Sequence, residues 1–309
     1  MHENVDRMKT IDEKRTLFAE NSQAVQEWGI NMNKKKETAV VYSQRQLAGG
    51  IYDMWIETGL AEAAKPGQFL MVYPRSAATL LPRPISICEV RRDEARLRIV
   101  YRVAGKGTAE FASYREGEPI SVMGTLGNGF PLAEAAGKRV FLMGGGIGIP
   151  PMLGLAQALA ESGQAAGEST GAKKADGQAA PVSVHAMLGY RDSALFLKEE
   201  FERWANVVVA TEDGSVGTKG NIMDAVRENA LAADVIYACG PMPMLRAVKQ
   251  YASEAGIPAY ISLEERMACG VGACLGCVCK TKQVDAHSHV KNARVCTEGP
   301  VFLAEDVEI

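Results

Sequence analysis

The sequence predicts a multidomain α+β protein: an antiparallel β-barrel, then an α/β doubly wound parallel sheet, then a small cysteine-rich C-terminal domain. Three observations carry that expectation. Between residues 37 and 137 short apolar runs are split by Gly, Pro and charges, a texture of strands and turns. From Lys138 to residue 259 strand-like runs alternate with helical patterns, which means parallel strands joined by crossover helices. After that, "MACGVGACLGCVC", 267–279, gathers four of the chain's seven cysteines.

Taken in order, residues 1–36 are polar, run into "NKKKE" and read as an extension, either a part-helical docking arm or a mobile leader. The strands of this first domain are "TAVVYSQRQL", "IYDMWIETG", "GQFLMVYP", "PISICEVRR", "ARLRIVYRVA" and "EPISVMGTLG", six in all, a spacing that suits a small antiparallel barrel or sandwich. A helix opening at Thr108 follows the fifth. In the 138–259 domain "KRVFLMGGG", "VSVHAML", "NVVVATE" and "DVIYACG" read as strands. "PMLGLAQALAES", "LKEEFERW", "MDAVRENALA" and "MLRAVKQYASEAG" read as helices. The small, polar, aperiodic stretch 162–181 reads as a loop insertion. The 260–309 domain is too short to hold a large core and needs a metal to organise it.

Composition narrows the function. The chain has 309 residues, with 34 Lys and Arg against 37 Asp and Glu and no dense basic stripe, so a nucleic-acid partner is not expected. The opening "MHENVDRMKTIDEKRTLF" lacks the apolar core of a signal peptide. The longest apolar stretch, "VFLMGGGIGIPPMLGLAQALA", is cut by glycines and two prolines, so no membrane span is expected. A cytoplasmic location follows, where structural disulfides are rare.

Reduced cysteines then need another use. Cys269-x4-Cys274-x2-Cys277, with Cys296 after eighteen intervening residues, fits the plant-type [2Fe–2S] spacing. Gly270, Gly272 and Gly276 let the backbone wrap a cluster and turn N–H groups toward its sulfurs. Zinc is the rival metal, with His287 and His289 as further donors, but structural zinc prefers two short C-x2-C hooks. Cys279, two residues beyond Cys277, reads as a neighbour of the site or a core residue.

Two further motifs concern nucleotides. In "LLPRPISICEV", Arg83 stands before a strand and can clamp a diphosphate, and the Ser86 hydroxyl can meet a flavin ring edge. "VYRVAGKGTAEF" passes from a strand into a turn where Gly105 and Gly107 admit phosphate; an ordinary strand–turn–helix with a Thr cap is the bland alternative. "FLMGGGIGIPPM" is a strand, the turn Gly144–Gly148 and a proline-opened helix. It departs from G-x-G-x-x-G, because Pro151 replaces the third glycine, yet Gly145, Gly146 and Gly148 still admit a nicotinamide dinucleotide. "YACGPMPML" places Cys239, Gly240 and Pro241 at another strand's carboxyl end, where open α/β sheets bind ligands. Cys239 reads as a packing or nicotinamide-facing residue more than a catalytic thiol, and no residue is singled out as catalytic. Asp192 or Glu212 could meet a ribose or be solvated turn residues.

"RPIS", "GKGT", "MGGGIGIPPM", "ACGPMPML" and "MACGVGACLGCVC…VC" occur in the order of ferredoxin-reductase-type flavoproteins with a C-terminal [2Fe–2S] domain. Residues 37–309 most resemble the electron-transfer subunits of NAD-dependent (class 1B) dihydroorotate dehydrogenases. The resemblance implies an FAD-binding barrel over 37–137, with contacts at Arg83, Pro84, Ile85, Ser86, Val100, Tyr101, Arg102, Gly107 and Thr108. It implies an NAD-binding domain over 138–259 and cluster ligation by Cys269, Cys274, Cys277 and Cys296. Ile85 stands where many ferredoxin reductases carry an aromatic residue. It also implies a role in pyrimidine biosynthesis: an FMN-containing catalytic subunit oxidises dihydroorotate, and electrons pass through [2Fe–2S] and FAD to NAD⁺, in a heterotetramer of two subunits of each kind. The preference for NAD over NADP comes from the resemblance alone. The same-class alternative is the small flavin subunit of an NADH-dependent ferredoxin:NADP oxidoreductase or of a sulfite reductase. A non-catalytic, zinc-stapled binding module is the alternative of another class. The extension and the 162–181 insertion have no counterpart in the resemblance.

Overall fold

The structure, a computed structural model, describes residues 35–167, 180–285 and 289–309. Residues 36–309 form one compact unit. The expected extension, the middle of the insertion and His287 lie outside the described residues.

The six expected strands form a closed antiparallel barrel: β1 (Lys35–Ala48), β2 (Ile51–Glu57), β3 (Phe69–Tyr73), β4 (Arg83–Arg91), β5 (Arg96–Arg102) and β6 (Pro119–Leu126), in the order β1-β2-β5-β4-β3-β6. Alternation drives closure, because every second residue of a strand points the same way. Val41, Met54, Ile56, Leu70, Val72, Ile87, Leu97 and Ile99 fill the interior. Tyr101 joins them, its ring edge-on to Phe111 at 6.0 Å. Phe111 ends helix α1 (Lys106–Phe111), which opens two residues before Thr108. Thr108 instead ties the turn: its hydroxyl accepts from the N–H of Ala104 at 2.9 Å and of Gly105 at 3.2 Å.

The second half is a seven-stranded sheet. It uses β7 (Arg139–Gly145), β8 (Ser183–Tyr190), β9 (Asn206–Thr211), β10 (Thr218–Lys219), β11 (Val235–Cys239), β12 (Ala259–Ser262) and β15 (Val301–Leu303), in the order β10-β9-β8-β7-β11-β12-β15. All neighbours are parallel except β12 and β15. Sequence pattern shows β7, β8, β9 and β11. It misses β12, a short apolar run after a proline, and β15, which the tail lends to the sheet edge. Helix α2 (Ile149–Gly167) opens with Pro150 and Pro151 in its first turn, where no N–H partner is lost. It runs into the stretch read as a loop. Helix α3 (Lys198–Phe201) is a single turn, shorter than "LKEEFERW": left-handed Leu197 (φ 66°) bars an earlier start, and after Phe201 the chain turns into β9. Helices α4 (Ile222–Glu228) and α5 (Met242–Ala255) complete the layer, α5 ending on left-handed Gly256. Among the described residues no helix is long and apolar enough to cross a membrane.

The tail adds the hairpin β13 (Val278–Lys280) and β14 (Asn292–Arg294). Its Met267, Cys277, Val295 and Cys296 share a core with barrel residues Phe69, Met71, Met123 and Leu126. The tail is therefore organised partly by apolar packing on the barrel.

Candidate redox site

All seven cysteines are free, and the cysteine loop points its backbone donors at its sulfurs. The N–H groups of Val271 and Cys274 donate to Cys269 Sγ at 3.4 Å each. Gly272 N–H donates to Cys296 Sγ at 3.2 Å, and Gly276 N–H to Cys274 Sγ at 3.4 Å. Burial pushes the Cys269 thiol up, but these backbone bonds outweigh it and bring it down to about 7. Cys277 falls to about 6, chiefly because the Cys296 thiol donates to it, and Cys296 rises for the same reason. The thiols thus adjoin in pairs, Cys269 with Cys274 and Cys277 with Cys296. Among the described residues, no three His, Cys, Asp or Glu side chains form a group that could hold one metal ion. A binuclear cluster takes two thiolates per iron, so the paired arrangement fits [2Fe–2S] better than a single tetrahedral zinc. His289 is exposed. Burial raises Cys279 to about 11, and it packs against the core as a thiol.

The loop is pressed onto the barrel. A Cβ on Gly270 (φ 69°) would stand 2.7 Å from Met71 Cγ, so only glycine fits the approach and the backbone angle. Met71 lies opposite Pro84 in the β3–β4 ladder, which sets the cysteine loop beside the Arg83–Ser86 motif. At its outer edge Cys274 and left-handed Leu275 (φ 56°) are exposed.

The flavin-motif residues converge in part. Arg83 begins β4, and its guanidinium lies 3.0–3.1 Å from where a Cβ on Gly107 would sit. Its Nη1 donates to the Leu81 carbonyl at 2.6 Å. A cation thus faces a backbone turn that no side chain obstructs, an arrangement suited to a diphosphate. Pro84, Ile85 and Ser86 are half-buried on β4. Val100 and Tyr101 are buried, with the Tyr101 hydroxyl donating to Gln44 Oε1 at 2.8 Å, so they can offer a ligand only their backbone. Arg102 is exposed.

The nicotinamide-motif residues meet closely. Cys239 and Gly144 are register partners on β11 and β7, so both glycine breaks lie at carboxyl ends of adjacent strands. A Cβ on Gly148 would stand 2.3 Å from the Cys239 carbonyl oxygen, and one on Gly240 3.1 Å from Gly145 N. Gly145 faces Met244 and Pro241 in the same way. These glycines therefore serve chain packing as well as any pyrophosphate. Arg102 reaches across from the barrel, its Nη2 3.1 Å from a Cβ placed on Gly146 (φ 54°). Burial pushes the Cys239 thiol far up, with the Glu264 charge adding to it, which suits a packed thiol and not a nucleophile. Asp192 accepts from Ala194 N–H in its own turn at 2.9 Å.

Comparison with known proteins agrees with this geometry. Residues 264–308 match the "Iron-sulfur cluster binding domain of dihydroorotate dehydrogenase B" and residues 142–250 the "Oxidoreductase NAD-binding domain". The chain is 42% identical over 276 residues to the dihydroorotate dehydrogenase B (NAD(+)) electron transfer subunit of Bacillus caldolyticus, covering 88% of this chain and 98% of that protein. The chain belongs to this family. The Shouchella clausii electron transfer subunit is 39% identical over 280 residues, covering 89% and 99%. Among solved structures, that of an NADH-dependent reduced ferredoxin–NADP oxidoreductase matches with TM-score 0.73 at 28% identity, over 87% of this chain and 89% of that one. A ferredoxin NADP⁺ reductase from Neisseria gonorrhoeae with bound FAD and NADP matches with TM-score 0.56 at 16% identity, over 75% and 94%, which shows the fold.

One residue of this electron-transfer subunit escaped the sequence motifs. Glu264 follows β12, an exposed residue whose charge acts on Cys239 and Arg102. Surrounding protein holds its carboxyl above the ordinary range, against the pull of Arg102. The available signal was its place, two residues past a strand's carboxyl end.

Proposed function

We propose that this chain carries electrons from a catalytic dihydroorotate dehydrogenase subunit to NAD⁺ in pyrimidine biosynthesis. When bound, a [2Fe–2S] cluster carries one electron at a time, and FAD joins single electrons into the pair that leaves as hydride. In this proposal Cys269 and Cys274 hold one iron, and Cys277 and Cys296 the other. Arg83 and the Gly107 turn take the FAD diphosphate, with Pro84 to Ser86 and the Val100–Arg102 and Thr108 backbone along the flavin. The turns Gly145–Gly148 and Cys239–Pro241 take the dinucleotide. The barrel over 37–137, the sheet over 138–259 and the tail over 260–309 are then the FAD, NAD and cluster domains. The partner carries FMN in a heterotetramer of two subunits each, in the reducing cytoplasm.

The observation that carries this is the cysteine loop: paired thiols, backbone N–H groups aimed at sulfur, and Gly270 seated on Met71 beside the Arg83–Ser86 motif. The test is co-purification with the catalytic subunit, cofactor and mass analysis, and a dihydroorotate:NAD⁺ assay. The complex should contain FMN, FAD, iron and sulfide and reduce NAD⁺. The isolated chain should pass electrons from NADH to artificial acceptors and leave dihydroorotate untouched. Dihydroorotate oxidation by the chain alone defeats the division of labour.

A further inference from the structure

The barrel and the sheet meet at a buried charged clasp that no cofactor motif explains. Arg98 on β5 has a side chain only 2% exposed, and its partner Asp53 on β2 is 1% exposed. Arg98 Nε donates to Asp53 Oδ1 at 2.8 Å and Nη2 to Oδ2 at 2.9 Å, a two-pronged pair within the barrel. Nη1 donates to Glu89 on β4 at 3.2 Å. Both Nη groups also donate to the Glu200 carboxylate, Nη2 at 3.0 Å. All five guanidinium N–H donors are thus engaged. Arg45 on β1 binds Asp53 at 3.0 Å and lies 3.8 Å from Glu200. Of these residues Glu200 alone comes from the sheet half, on α3, the single turn that follows left-handed Leu197.

A second contact blocks sliding along the same seam. A Cβ on Gly154 of α2 would stand 2.3 Å from the Cys88 carbonyl oxygen of β4, so helix and strand backbones touch. Strand β5 then carries the clasp toward the redox site. Arg98 and Arg102 lie on one face of it, about 13 Å apart along the strand. Arg102 reaches the Gly146 turn, and Val100–Arg102 is the segment offered to the flavin.

We infer that Glu200 is a positioning residue. By gripping Arg98 it holds β5, and with it the flavin side of the cleft, at a set distance and angle from the Gly145–Gly148 turn. Hydride transfer depends steeply on both, and a displacement of about 1 Å can cost roughly a hundredfold. The inference rests on the proposed function, since it needs flavin on the barrel and nicotinamide on the sheet. Transfer from the cysteine loop to the flavin motif runs where Gly270 seats on Met71 of β3, a contact separate from the grip of Glu200 on Arg98.

The test uses the complete complex with its catalytic partner and compares wild type, Glu200→Gln and Glu200→Ala. Rapid mixing follows flavin reduction by NADH and, separately, by dihydroorotate, while amide hydrogen exchange follows β4 and residues 149–162. In Glu200→Ala the NADH-driven rate should fall about tenfold or more. FAD and iron contents and the dihydroorotate-driven rate should stay at wild-type values, and exchange along the seam should quicken. Glu200→Gln, which keeps one acceptor oxygen, should fall between. An NADH-driven rate within twofold of wild type in both variants overturns the inference. Equal slowing of both half-reactions also overturns it, by making the clasp merely structural. If Glu200→Ala loses its cofactors, the same criteria apply to Glu200→Gln. If the unaltered complex is not reduced by NADH, the proposed function fails instead.

Discussion

The barrel presents two apolar seams, and the one toward the sheet, where Ile51, Cys88 and Val100 share a core with Ile149, Met152 and Leu153, carries a buried charged clasp besides. Toward the cysteine loop it offers Met71, Met123 and Leu126, against which Gly270 closes without a side chain. Toward the sheet it offers Arg98, Asp53 and Glu89, which seize Glu200. Single-electron transfer across the first seam needs closeness and tolerates rotation, so non-directional apolar packing suffices. Hydride transfer across the second needs orientation, and charge-assisted, two-pronged hydrogen bonds supply direction.

The largest effect should come from the cysteines proposed to hold the cluster behind the first seam. Cys274→Ser should abolish the cluster's visible absorbance and dihydroorotate-driven flavin reduction, while FAD stays bound and NADH still reduces it. Loss of FAD together with the cluster would mean that the metal organises more than the tail. Next is Arg98→Ala, which leaves buried Asp53 with Arg45 as its remaining cation and should destabilise the barrel by about 3 kcal/mol in denaturant melts. A loss near zero would show that water reaches the clasp. Met71→Ala should cost about 2–3 kcal/mol through the cavity it leaves. It should slow only the step between cluster and flavin; slowing of NADH-driven reduction would break the separation of the seams. The smallest effect tests a charge pair outside both. Hydrogen bonds from Arg139 hold the Asp234 carboxyl down from 3.8 to about 2. A carboxyl depressed on folding stabilises above its unfolded value and loses that support as pH falls through the folded one. Asp234→Asn should therefore flatten the acid limb of stability between pH 3.8 and about 2 and leave both half-reactions unchanged at neutral pH.

Much of this was legible from local pattern. Short apolar runs such as "IYDMWIE" and "RLRIVYR", split by Gly, Pro and charges, marked barrel strands, since runs of that length and composition suit a pleated, buried surface. The cysteine spacing marked the cluster loop, because ligands close in sequence can meet only one way around a compact group. "LKEEFERW" misled: its helical composition yields at one end to left-handed Leu197 and at the other to the turn that leads into β9. Strands β12 and β15 were invisible because each is only three or four residues long, too short to carry a pattern of its own.

From its residues alone, this protein's order of parts was determined: barrel, sheet, cysteine loop, and the glycine breaks within them. These follow from periodicity and short spacing, which act over a few residues. Only the tertiary structure decided that Arg98 meets Glu200, 102 residues away, that Gly270 lands on Met71 and that Arg102 overhangs Gly146. Such meetings depend on how separate elements pack, and no local preference encodes them.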